Sequence, residues 1–134
     1  MFTELLAPRY KRIIKYVKDN GIKFVYGHFG GSFRNFIPEL LNVGIEGFSL
    51  CSRSTNTDVV DLKKEYGQGL RLIGGIDRRV LLNGSKYDIE KEIDRVLSVL
   101  HIGGLIPCTD IPMYYGTSFE NYEHYARVME RSLK

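Results

Sequence analysis

The chain has 134 residues, with 19 Lys plus Arg against 16 Asp plus Glu, for a formal charge of +3. One compact domain over 1–134 is the expectation at this length, and 43% hydrophobic with 26% charged residues excludes a disordered chain. No apolar run reaches the ~20 residues of a membrane span, and no basic run marks a nucleic-acid surface. Met1 to Leu6 carries an early acid, Glu4, and lacks the apolar centre of a signal peptide, so the expected compartment is the cytoplasm. Cys51 and Cys108 are too few for a disulfide framework and share no close metal spacing; they read as reduced, buried thiols.

In chain order, Leu6, Tyr10, Ile13, Ile14 and Val17 recur at three- and four-residue steps and predict a first helix, stopped by Asn20 and Gly21. A short apolar run, Lys23 to His28, follows as a strand. A second helix is predicted from Phe33 to Asn42, starting close to Pro38 and ending before Gly44. Gly47 to Cys51 is the second strand. Thr57 reads as the cap of a third helix that ends at Tyr66 and Gly67, before a third strand from Leu70 to Ile76. Ser85 with Asp88 resembles a capping box ahead of the stripe Ile89, Ile93, Val96, Leu97 and Leu100. Gly104 to Cys108 is the fourth strand, and Thr117 or Ser118 opens a last helix carrying Phe119, Tyr122, Ala126 and Met129.

This is one helix followed by four βα units, an α/β pattern that calls for parallel strands and right-handed crossovers. The strands are continuously apolar rather than alternating, which predicts cover on both faces. Four such units make a small open sheet or half of a (β/α)₈ barrel, and in both cases functional groups belong beyond the carboxyl ends of the strands.

After the first strand come His28, Phe29, Gly30, Gly31 and Ser32. The paired glycines allow close approach of a ligand, or simply a tight βα turn, and they match no nucleotide fingerprint. His28 reads as a general acid or base, a ligand, or a hydrogen-bonded structural group. Arg53 in the second loop suits a carboxylate or phosphate, or lies in a solvated loop. Asp77 and Arg78 after the third strand face the site or pair with neighbours. Asp110 after the fourth orients a base, holds an amine or caps a turn, ahead of the aromatic loop Met113-Tyr114-Tyr115-Gly116. His28, Cys51 and Cys108 lie at the same strand ends, which makes a one-His, two-Cys zinc site a minor alternative.

These motifs, taken together, resemble the C-terminal half of the uroporphyrinogen decarboxylase and corrinoid-dependent methyltransferase superfamily. The resemblance rests on Pro8-Arg9-Tyr10, His28-Phe29-Gly30-Gly31, Val43-Gly44-Ile45-Glu46-Gly47, the run Asp58 to Gly67, Leu72 to Asp77, Gly103-Gly104 to Pro107, Asp110, and Ser118 to Tyr122. It implies a TIM-barrel-like half barrel in which 1–134 supplies the last four βα units of a barrel of well over 300 residues. It also implies catalytic His28 and Asp110, and substrate contacts from Gly30, Gly31, Ser32, Arg53, Asp77 and Arg78.

The substrate-gripping arginines and aspartate of the decarboxylases belong to the first half, which this sequence does not contain. Ile111 follows Asp110 where many relatives place a histidine, and an aliphatic side chain moves no proton. Gly30 stands where the zinc-binding methyltransferases place a cysteine. The expectation is a truncated or split decarboxylase-like protein that is not a competent decarboxylase alone and uses no cofactor. The alternatives are a zinc-dependent methyltransferase relative working with a corrinoid protein, and a noncatalytic binding or assembly subunit. Expected partners are a second copy or a separately encoded N-terminal half barrel, with a small-molecule or tetrapyrrole ligand and neither nucleic acid nor membrane.

Overall fold

The computed structural model describes residues 2–112 and 115–134. Met113 and Tyr114 of the aromatic loop lie outside the described residues. A five-residue π-type turn, Phe2–Leu6, leads into α1 (Ala7–Asp19). Gly21, at φ +89°, closes α1: its N–H donates to Lys18 O, and the Ile22 N–H donates to Val17 O.

The remaining elements are β1 (Tyr26–His28), α2 (Ile37–Asn42), β2 (Gly47–Cys51), α3 (Val59–Tyr66), β3 (Arg71–Ile76), α4 (Arg78–Asn83), α5 (Lys86–Leu97), β4 (Leu105–Thr109) and α6 (Phe119–Ser132). The four strands form one sheet in the order β1-β2-β3-β4, with every pairing parallel. Strands of sequential order joined by helices are the layout of half a TIM-type barrel.

Several local expectations need correction. The first strand pairs only from Tyr26, because side chains take the backbone groups ahead of it. The Val25 N–H donates to Glu46 Oε2 at 3.1 Å, and Lys18 Nζ donates to Lys23 O at 2.6 Å. The second helix is shorter than its apolar stripe: Arg34–Phe36 is a 3₁₀ turn, and the α-helix starts at Ile37 beside Pro38. Asp58, not Thr57, caps α3, accepting from the Val60 N–H at 2.8 Å; Thr57 is buried, and its hydroxyl donates to Ser52 O. Helix α4 leaves no periodic pattern in the sequence, since six residues are too few to show a period; Asp77 caps it. The capping box of Ser85 and Asp88 and the Ser118 cap of α6 are both present.

The largest correction concerns strand cover. Register places Gly27, Phe48, Leu72 and Leu105 in one row across the sheet, and His28, Ser49, Ile73 and Ile106 in the next. Neighbours in such a row point to the same face, and adjacent rows point to opposite faces. The first row lies under the helices: Phe48 is 0%, Leu72 1% and Leu105 8% exposed. The second row is open, with Ile106 58% exposed, and Tyr26 on the same side of β1 is 42% exposed. Only one face is covered because, among the described residues, the helices supply the cover and lie on one side of the sheet, as in one wall of a cylinder.

The core between sheet and helices joins Phe48, Leu72 and Ile76 to Ile37, Leu40, Val59, Leu62, Ile89 and Ile93. Phe33 stacks on Phe48 with ring centroids 4.9 Å apart. Gly75 allows the closest approach: a Cβ there would sit 2.4 Å from Val59 Cγ2, so α3 reaches the sheet only over a glycine.

Candidate functional site

The carboxyl ends of the strands present two kinds of group. His28 ends β1 on the open face and is exposed. Its Nδ1 and Ser49 Oγ, on the next strand in the same row, share a 2.9 Å hydrogen bond. The Ser49 hydroxyl donates to Gly27 O at 3.4 Å, so its oxygen can accept from a protonated Nδ1, and Nε2 lies outside this bond. Nothing in the sequence but strand register pairs Ser49 with His28.

The acids at the other strand ends are built into the fold. Asp110 is buried; it accepts from Ser52 Oγ at 2.6 Å and from the Arg78 N–H at 3.1 Å, while its own N–H donates to Ile76 O. Both carboxylate oxygens are thus occupied in tying β4 to the loops after β2 and β3. Asp77 is buried as well. It caps α4 through the Arg79 N–H at 2.9 Å and is gripped by the Arg79 side chain. The Arg79 guanidinium holds the Asp77 carboxyl below the usual carboxylate range, against the opposing effect of burial.

A third acid, Glu92, takes the Asp77 N–H at 3.1 Å. Arg95 donates to Glu92 from Nε and Nη2, at 2.8 Å each, to both oxygens of Asp58 at 3.0 Å, and to Gly75 O at 3.2 Å. Arg53 adds weaker ion pairs to Asp58 at 3.4 Å and Glu92 at 3.7 Å. Arg53 therefore meets carboxylates, as its loop position suggested, but they belong to this chain. The Glu92–Arg95 spacing is visible as a helical i,i+3 pair, whereas its tie to Asp58, 37 residues away, is not.

Gly30, Gly31 and Ser32 border a cavity of about 590 Å³ that opens between the start of α1 and α2. Its walls are mainly rings: Phe2, Tyr10, Phe29, Phe33 and Phe36. A Cβ on Gly30 or Gly31 would meet no atom within 4 Å, so these glycines leave open space beside the strand end.

The described residues do not gather His28, Cys51 and Cys108 into a metal-holding group. Among the described residues, no group of three or more His, Cys, Asp or Glu side chains is placed to hold a metal ion. Cys51 is fully buried with its thiol turned to Phe48 O, and burial pushes that thiol up to about 12. Cys108 is only half-buried, contrary to expectation, and burial raises its thiol as well.

The model of the family described as uroporphyrinogen decarboxylase (URO-D) matches residues 1–131. The chain belongs to the uroporphyrinogen decarboxylase family. No curated protein matches it. Membership agrees with the parallel four-stranded sheet and its single helical layer, and among the described residues no helix is long and apolar enough to cross a membrane. Within this family frame, the structure brings His28 and Ser49 together on the open face. It commits Asp77 and Asp110 to structural bonds at the loops.

Proposed function

We propose that this chain is one wall of a uroporphyrinogen decarboxylase-type barrel, that it supplies His28 to a site completed by further polypeptide, and that it does not decarboxylate a porphyrinogen by itself. The observation that carries this reading is the sheet row His28–Ser49–Ile73–Ile106, which no helix covers among the described residues and which holds the exposed His28 ring beside Ser49. Decarboxylation of an acetate arm breaks the bond to the carboxylate carbon, releases carbon dioxide and leaves an electron pair that must be stabilised and protonated. A porphyrinogen carries several further carboxylates, and holding them takes uncommitted cations. Here the Arg53, Arg79 and Arg95 guanidiniums already serve Asp58, Glu92 and Asp77. The chain's own contribution is then a proton that His28 carries on Nε2 in its imidazolium form and passes to that electron pair, which leaves the neutral ring with its remaining proton on Nδ1, held by Ser49.

Turnover of a porphyrinogen by the chain alone, measured as carbon dioxide release, is expected to be undetectable; robust release would overturn the reading. In a completed barrel that does turn over, His28→Ala is expected to lower kcat by roughly 10²- to 10⁴-fold, the usual range for losing a general acid or base.

A further inference from the structure

We infer that the ring-walled cavity between the start of α1 and α2 is a binding site for a flat, uncharged aromatic small molecule that carries a hydroxyl or carbonyl oxygen. This site is separate from the position of proton transfer. His28 borders a smaller cavity of about 300 Å³, which has only Tyr10 and Phe29 in common with the ring-walled one.

The walls come from three segments of the chain. Phe2, in the turn ahead of α1, sets its ring 6.1 Å from that of Tyr10 and 5.6 Å from that of Phe36. Phe29, just after β1, lies 5.4 Å from Phe33, which stacks in turn on the buried Phe48. The aromatic wall is thus anchored to the sheet at one end and met by the Phe2 turn at the other. At about 590 Å³ the cavity falls within the ~300–1,000 Å³ of small-molecule sites, and rings line it as they line such sites.

Charge and shape select the ligand. Among the described residues no charged side chain lines the cavity, so a charged ligand would lose hydration there without gaining a counter-ion. A porphyrinogen, with its several carboxylates, is excluded by that argument, and the inference therefore goes beyond the proposed function. Ring walls favour a ligand with ring faces of its own, through offset and edge-to-face contacts that add to simple apolar burial.

Polar groups in the wall specify the oxygen. The N–H groups of Gly30 and Gly31 and the Ser32 hydroxyl occupy consecutive positions, and among the described residues none of them has a hydrogen-bond partner. A ligand oxygen can accept from this set, whereas an apolar side chain of another protein would meet the rings and leave the donors unmet. The two glycines also give the test a handle. A Cβ on either meets no atom within 4 Å, and neither has a left-handed φ, so both positions accept a side chain that takes up open space.

The test is equilibrium titration of the full chain at neutral pH with naphthol, two fused rings bearing one hydroxyl, read by its fluorescence. Saturable one-to-one binding with Kd below ~1 mM is expected. In displacement of naphthol, naphthalenesulfonate should bind at least ~10-fold more weakly because of its charge. The saturated alcohol decahydronaphthol and the bare hydrocarbon naphthalene should each bind about threefold more weakly, for want of ring faces and of the oxygen respectively. Gly30→Leu combined with Gly31→Leu should abolish binding with the unfolding midpoint unchanged, and Phe36→Ala, at an exposed ring, should weaken it about fivefold. No saturable binding, equal binding of the sulfonate, or binding that survives the double glycine variant overturns the inference. Self-association of the chain that the double variant abolishes would also overturn it, by showing a second copy seated in the cavity. Carbon dioxide release by the chain alone bears only on the proposed function, so the two failures are read from different measurements.

Discussion

The two faces of the sheet are made from the same strands and differ in everything that decides stability and use. On the covered face, large apolar side chains from β2, β3 and β4 pack under the helices, and Phe48 and Leu72 are sealed. On the other face, one residue along, His28 and Ile106 are exposed, and among the described residues no helix covers them. The difference teaches that stability in this chain resides in one half of each strand and the chemistry in the other, so a substitution's effect is set by parity along the strand before residue type.

Substitutions on the two faces should therefore part widely. Phe48→Ala is expected to cost ~3–5 kcal/mol, the range for a buried aromatic, read as a lower midpoint in denaturant unfolding. Ile106→Ala should fall within about 0.5 kcal/mol of the parent, as for a surface substitution; a loss comparable to that of Phe48→Ala would show the open face to be packed. Between these lies the ion network behind the covered face. Glu92→Gln removes the buried acid that meets Arg95 and the Asp77 N–H, and should cost about 3 kcal/mol, toward the low end for breaking a buried pair because Arg95 keeps partial contact with solvent. Loss of the α4 cap in Asp77→Ala should cost ~1 kcal/mol.

Titration sharpens the comparison with smaller effects. Arg79 holds the Asp77 carboxyl below its unfolded value, so its contribution to stability is complete above that value, near 3.9, and is lost as pH falls through the native one. Acid unfolding of Asp77→Ala should accordingly show a shallower loss of stability below about pH 4. Cys51 shifts the other way, to about 12, because the thiol is buried. Its folded form stays protonated while the unfolded thiol ionises near 8.5, so stability falls as pH rises above that value, and Cys51→Ala should flatten the alkaline limb.

The sequence made the sheet legible where chemistry is local. Ser85, Asp88 and Ser118 announce helix starts, Gly21, Gly44 and Gly67 announce helix ends, and apolar runs mark β2 and β3. It misled where side chains from distant segments override local preference: Glu46 takes the Val25 N–H and shortens β1, and Thr57 is drawn from its capping role into hydrogen bonds with Ser52. The continuously apolar strands predicted two covered faces. The inner apolar residues are instead those a closed cylinder would bury, and no described residue covers them. At the candidate site, His28 was legible from its place at a strand end. The commitment of Asp77 and Asp110 to structural bonds was not, because Ser52, Arg78 and Glu92 reach them only through the folded loops.

The central claim, that one face of this sheet is sealed and the other open, is tested most directly by thiol labelling at two adjacent positions on β4. Leu105→Cys should react with an alkylating reagent only on unfolding, whereas Ile106→Cys should react about as fast as a thiol in an unfolded peptide, a ratio of at least ~10³. Equal protection of the two thiols in the native chain would contradict the account.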